Sequence, residues 1–130
     1  MTLLCIDDDR EDVEFFRDAI EIVDPSFICL EAANGELGLE ILNNIAVDAV
    51  FLDINMPVMN GRETLSQILS TQDTKSIPVF MLSTTRNPDE LAIYRQMGAR
   101  ECIVKPNSFF ELCRILRTIL KSPDIGRLQL

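Results

Sequence analysis

The chain has 130 residues, enough for one domain with a two- or three-layer core and too few for two ordinary domains. Hydrophobic residues make up 47% and charged residues 25%, a globular composition, and no apolar run approaches the length of a membrane span. Twelve basic against 21 acidic residues give a net charge of −9, the wrong sign for holding nucleic acid through its phosphates.

The first apolar run, Leu3-Leu4-Cys5-Ile6, leads straight into Asp7-Asp8-Asp9. Asp9 suits the N-cap of a first helix, whose stripe Val13, Phe16, Ile20 and Val23 has helical spacing and stops before Pro25. Phe27-Ile28-Cys29-Leu30 is the second run. The helix after it carries Gly38, which costs about 1 kcal/mol against alanine and fits a close approach of helix and sheet. Ala49-Val50-Phe51-Leu52 is the third run, and Asn60-Gly61 supplies turn and helix-start chemistry for a helix with Leu65, Ile68 and Leu69. Val79-Phe80-Met81-Leu82 is the fourth. Asn87 then caps a helix that has Pro88 at its first position, Asp89 and Glu90 in its first turn, and Gly98 past its end. Cys102-Ile103-Val104 is the fifth run. Ser108 and Glu111 have capping-box spacing before a last helix with Leu112, Ile115, Leu116 and Ile119, which ends ahead of Pro123.

Each apolar run is too short for a helix and lacks polar alternation, as expected of strands buried on both faces of a parallel sheet. Strands alternating with helices imply right-handed βαβ units, hence an α/β fold with a doubly wound five-stranded parallel sheet and helices on both faces. One domain is expected over residues 1–121, with 122–130 as a short C-terminal tail. Phe15-Phe16 and Phe109-Phe110 are adjacent helical residues pointing about 100° apart, so one of each pair should face the core and the other less so.

The absence of histidine removes Ser-His-Asp and Cys-His catalysis and most zinc and iron sites. Cys5, Cys29, Cys102 and Cys113 form no C-x-x-C pair and read as reduced residues of the core. The N-terminus lacks the pattern of a secretion signal, so a cytoplasmic protein is expected. What remains is the chemistry of carboxylates, hydroxyls, lysine and a hard metal.

In a doubly wound sheet, ligands bind beyond the carboxyl ends of the strands. There the sequence places Asp7-Asp8-Asp9, Asp53-Ile54-Asn55, Ser83-Thr84-Thr85 and Lys105-Pro106. Asp9 is accounted for as a cap, and Ser83 to Thr85 taken alone could be a polar turn. Asp7, Asp8, Asp53 and Lys105 are better explained by function. Carboxylates a few ångströms apart cannot all stay ionised without a cation, and an oxygen-only donor set favours Mg²⁺. A phosphate-like ligand would complete such a site, with lysine and hydroxyl groups on its remaining oxygens.

Asp7-Asp8, the segment Phe51-Leu52-Asp53-Ile54-Asn55-Met56-Pro57-Val58-Met59-Asn60-Gly61, Ser83 and Lys105-Pro106 resemble the receiver domain of two-component response regulators. The likeness is strongest to the stand-alone chemotaxis type and extends from about Leu3 to Leu120. It implies a flavodoxin-like strand order 2-1-3-4-5. It also implies that Asp53 is the phosphoacceptor, that Asp8, Asp53 and the Asn55 backbone carbonyl bind Mg²⁺, and that Asp7 does so through water. Lys105 and Ser83 would contact phosphoryl oxygens, and the Lys105–Pro106 bond would be cis. The donor would be a phosphohistidine on a histidine kinase or histidine phosphotransfer protein. Output would pass to an unknown downstream protein in a phosphorelay, without nucleic acid or membrane as partner. No enzyme activity is implied beyond self-phosphorylation and slow autodephosphorylation of Asp53, with Thr85 and Asn55 controlling water access.

One departure stands out. Many receivers have Tyr or Phe three residues before the lysine, where this chain has Cys102, so the aromatic switch would be replaced by backbone shifts or by Tyr94. Two rival readings are a receiver-like scaffold that is never phosphorylated and a Mg²⁺-dependent phosphatase of the haloacid dehalogenase type. The latter wants a second acid two residues after its nucleophile, where Asn55 stands here, and a cap domain.

Overall fold

The computed structural model describes residues 1–56 and 58–121, so Pro57, Pro123 and the expected tail lie outside the described residues. Ten elements alternate among the described residues: β1 (Thr2–Ile6), α1 (Arg10–Val23), β2 (Ile28–Ala32), α2 (Gly35–Asn44), β3 (Ala49–Asp53), α3 (Gly61–Ser70), β4 (Val79–Ser83), α4 (Pro88–Met97), β5 (Glu101–Val104) and α5 (Phe109–Leu120). The strands form one parallel sheet in the order β2-β1-β3-β4-β5. Among the described residues no helix is long and apolar enough to cross a membrane.

The lack of polar alternation in the strands has a direct cause: each central strand feeds two cores. Leu4, Ile6, Val50, Leu52 and Met81 face the layer of α2, α3 and α4, together with Leu65, Ile68 and Leu91. Leu3, Cys5, Phe51, Phe80 and Ile103 face α1 and α5, against Phe16, Ile20, Leu112 and Leu116. Phe51 is fully buried at the middle of this second core, its ring centroid 4.8 Å from that of Phe16 and 5.1 Å from that of Phe80. β2 lies at an edge, and its first residue, Ile28, is exposed.

Local chemistry sets the element ends. Asp9 caps α1 by accepting from the N–H groups of Glu11 and Asp12, and Asn87 caps α4 with Pro88 at its first position. Gly98 ends α4 in the left-handed region at φ 117°, where a side chain would be strained. Gly38 is explained by packing, since a Cβ there would fall 2.4 Å from Ile6 Cδ1. Only half of the expected capping box forms. Ser108 Oγ accepts from the Glu111 N–H, whereas the Glu111 carboxylate pairs with the Arg114 guanidinium one turn on. Of the aromatic pairs, Phe16 is buried and Phe15 packs edge-on against Phe109, while Phe110 stays exposed. All four cysteines are free thiols; β-sheet register sets Leu3, not Cys5, opposite Cys29.

Candidate functional site

The carboxyl edge of the sheet gathers side chains from both ends of the chain. Asp7 follows β1 directly; its N–H donates to the Ala32 carbonyl of the neighbouring strand, and its Oδ1 accepts from the Asp9 N–H at 2.9 Å. Asp53 is the last residue of β3. Both carboxylates are buried, with Asp7 2% and Asp53 5% exposed, whereas Asp8 faces solvent. One carboxylate oxygen from each of Asp7, Asp8 and Asp53 lies within 4.8 Å of the others, a spacing and donor set that suit a hard cation.

Lys105 enters from the far side. Its backbone N–H continues the β4–β5 ladder by donating to the Ser83 carbonyl at 2.7 Å. From there Nζ lies 3.1 Å from Asp7 Oδ2 and 3.3 Å from Asp53 Oδ1. The expected cis Lys105–Pro106 bond is not present, because no peptide bond among the described residues is cis. Extension of the ladder through Lys105 already aims the ammonium inward with a trans bond. The nearest partner of Nζ is a residue the sequence reading had missed, Asp12 Oδ2 at 2.8 Å. Its only signal was its position in the first turn of a helix that begins where β1 ends.

Ser83 is buried at the end of β4, yet its Oγ accepts from the Thr85 N–H at 3.0 Å and closes a local turn. The structure therefore brings Asp7, Asp8, Asp53 and Lys105 together and leaves the Ser83 hydroxyl engaged with its own loop. Asn55 is exposed, its N–H at a long 3.4 Å from Asp53 Oδ1. Gly61 turns out to be more than turn chemistry. A Cβ there would sit 2.5 Å from the Asp53 carbonyl oxygen and 2.6 Å from Ile54 Cα, so only glycine lets α3 start this close to the end of β3. Cys102 is buried on β5 with its Sγ 3.4 Å from the Leu91 carbonyl of α4, and Tyr94 is buried in the same core layer.

The electrostatics follow from burial. Desolvation, then the neighbouring Asp7 charge, pushes the Asp53 carboxyl up to about 6, with Lys105 opposing the rise. Burial also raises Asp7, against the Asp9 N–H and Lys105. For Lys105 burial acts downward, but Asp12, Asp7 and Asp53 outweigh it and hold the ammonium above its ordinary value. Among the described residues a single ammonium faces Asp7, Asp12 and Asp53, so three carboxylates share one positive charge. A cleft of about 360 Å³ beside the lysine, lined by Asp12, Thr84, Arg86, Lys105 and Asn107, leaves room for an incoming group.

Comparison with known proteins identifies the family. The family model of the response regulator receiver domain matches residues 3–117. The transcriptional regulatory protein CpxR of Escherichia coli K12 is 31% identical over 119 residues, covering 92% of this chain and 49% of CpxR. A probable cyclic di-GMP phosphodiesterase of Vibrio cholerae is 33% identical over 108 residues, 82% of this chain and 24% of that protein. The chain thus spans half or less of the length of these curated relatives. Among solved structures, the chemotaxis response regulator CheY4 of Vibrio cholerae superposes with a TM-score of 0.81 at 26% identity, covering 92% of this chain and 98% of CheY4. The N-terminal domain of a receiver protein from Methanoculleus marisnigri is 33% identical with a TM-score of 0.73, covering 93% and 97%. Matched by this family model over residues 3–117, nearly its whole length, the chain belongs to the receiver-domain family of two-component response regulators.

Proposed function

We propose that residues 1–121 form a phosphorelay receiver in which Asp53 accepts a phosphoryl group from a phosphohistidine of a histidine kinase or phosphotransfer protein. In this reading the chain is a single-domain, cytoplasmic response regulator that signals by binding a downstream protein. One observation carries it: the buried Asp53 carboxylate stands at a strand end among Asp7, Asp8 and the Lys105 ammonium.

In the transfer, an ionised Asp53 oxygen attacks phosphorus in line as the bond from phosphorus to the donor imidazole breaks, leaving the electron pair on the imidazole nitrogen. Asp8, Asp53 and the Asn55 carbonyl would hold Mg²⁺, with Asp7 acting through a water. When bound, Mg²⁺ supplies positive charge that keeps Asp53 ionised and offsets the charge on the transferred oxygens. Lys105 meets one phosphoryl oxygen with its ammonium. Ser83 Oγ accepts from the Thr85 N–H, which leaves its O–H able to donate to another phosphoryl oxygen, so phosphorylation and the β4–α4 turn are linked. Thr85 and Asn55 flank the path of a hydrolytic water and set the lifetime of the phosphoryl group. Asn55 has an amide where a phosphatase of the dehalogenase type needs a proton donor, so no further enzyme activity is assigned.

The test is intact-protein mass after incubation with acetyl phosphate and Mg²⁺, beside an Asp53→Asn variant. The expected result is one added phosphoryl group on the wild type alone, and none when the metal is chelated before the donor is added. No adduct, together with no binding of beryllofluoride and Mg²⁺, would replace this reading by an unphosphorylated scaffold.

A further inference from the structure

The shortest ion pair at the site is made by the residue with no part in the transfer described above. Asp12 stands in the first turn of α1, and its N–H is already used by the Asp9 cap. Its carboxylate is half-exposed, and among the described residues its one ionic partner is Lys105, 93 positions away. Asp7 and Asp53 hold the same ammonium from the buried side at 3.1 and 3.3 Å. Lys105 is therefore pulled in two directions: toward the floor of the site by two buried carboxylates and toward α1 by one at its rim.

We propose that Asp12 is a positioning residue that holds Lys105 on the α1 side of the site, so that phosphoryl transfer to Asp53 must draw the ammonium away from it. This inference rests on the reading of Asp53 as phosphoacceptor. It has two consequences of opposite sign. Before transfer, the hold of Asp12 keeps the ammonium from settling fully on Asp7 and Asp53, which favours a divalent cation there. During transfer the same hold competes with the phosphoryl oxygens for the ammonium. Removing the Asp12 charge therefore weakens metal binding and speeds phosphoryl uptake. A role confined to the start of α1 would alter stability and move neither quantity in this pattern.

The experiment compares wild type, Asp12→Asn, Asp12→Glu and Glu11→Gln. Glu11 is an exposed neighbour in the same helical turn, and its substitution removes the same charge without touching Lys105. Mg²⁺ affinity of the metal-free proteins is read by calorimetry, and phosphoryl uptake from acetyl phosphate by intact mass at saturating Mg²⁺. Asp12→Asn is expected to weaken Mg²⁺ binding and to accelerate uptake, each about two- to fivefold, the scale of one half-exposed ion pair. Asp12→Glu should return most of the way to wild type, and Glu11→Gln should match it. Changes of the same sign in both measurements, no change in either, or equal effects from Glu11→Gln would overturn the inference. If the wild type itself takes up no phosphoryl group, the reading of Asp53 fails, and the Mg²⁺ titration alone decides whether Asp12 governs Lys105.

Discussion

Replacing Asp53 by asparagine should stabilise the metal-free protein, and by an amount that grows with pH. The carboxyl rises from 3.8 in the unfolded chain to about 6 in the fold, so the fold favours its neutral form. A group shifted in this direction adds stability only while it is protonated. That contribution is complete below about pH 4, falls as pH rises toward 6, and is absent above. At about 1.4 kcal/mol per pH unit the shift corresponds to at most about 3 kcal/mol, and solvent at the open rim of the site reduces this to about 1–2 kcal/mol. Asparagine keeps the shape of the neutral acid at every pH, and Lys105 retains Asp7 and Asp12 as partners. Urea unfolding followed by far-ultraviolet circular dichroism at about pH 4 and about pH 7.5 measures the difference. The variant should match wild type at the lower pH and exceed it by about 1–2 kcal/mol at the higher, with Mg²⁺ closing the gap by pairing with the ionised wild-type carboxylate. An asparagine variant less stable than wild type at pH 7.5, or a gap that ignores pH, would refute the account of strain in this cluster.

Gly61→Ala should cost about 1–3 kcal/mol in urea unfolding, because the new methyl meets backbone atoms of Asp53 and Ile54 that cannot rotate away. The same variant should weaken Mg²⁺ binding in calorimetry, since the backbone displaced is that of Asp53 at the end of β3; unchanged affinity would detach Gly61 from the site. Phe51→Ala should lose about 3–5 kcal/mol, as it empties the space between the Phe16 and Phe80 rings. Cys102→Tyr places a phenol where a small thiol contacts α4, and should cost about 1–3 kcal/mol through overpacking while shifting amide resonances of α4 in NMR spectra. Unshifted α4 resonances would show that this position does not govern the face formed with β5.

Much of the arrangement was legible in the sequence because a parallel sheet makes position along the chain report position in space. Each buried run ends at the same edge, so Asp7, Asp53, Ser83 and Lys105 could be assigned to one place from the apolar runs before them. The periodic stripes likewise located the buried faces of α1 and α5. What periodicity cannot supply is the rotation of one element against another. Asp12 meets Lys105 only because α1 packs beside α5 in one particular orientation, and no local pattern encodes that. Gly61 resembled ordinary turn chemistry because its close approach to Asp53 is made across a loop. The choice of Glu111 between Ser108 and Arg114 depends on competing hydrogen bonds of similar strength.

The Lys105 ammonium joins residues 98 and 93 positions away, so it closes a loop comprising most of the chain. Closing so long a loop costs chain entropy that the contacts at its ends must offset. During synthesis Asp7, Asp12 and Asp53 all precede their common counter-ion, and the carboxylates repel one another until β5 docks. Assembly of the charged edge thereby reports completion of the sheet. A divalent cation would be the one charge able to gather these carboxylates earlier, giving the metal a part in the order of folding as well as in the chemistry.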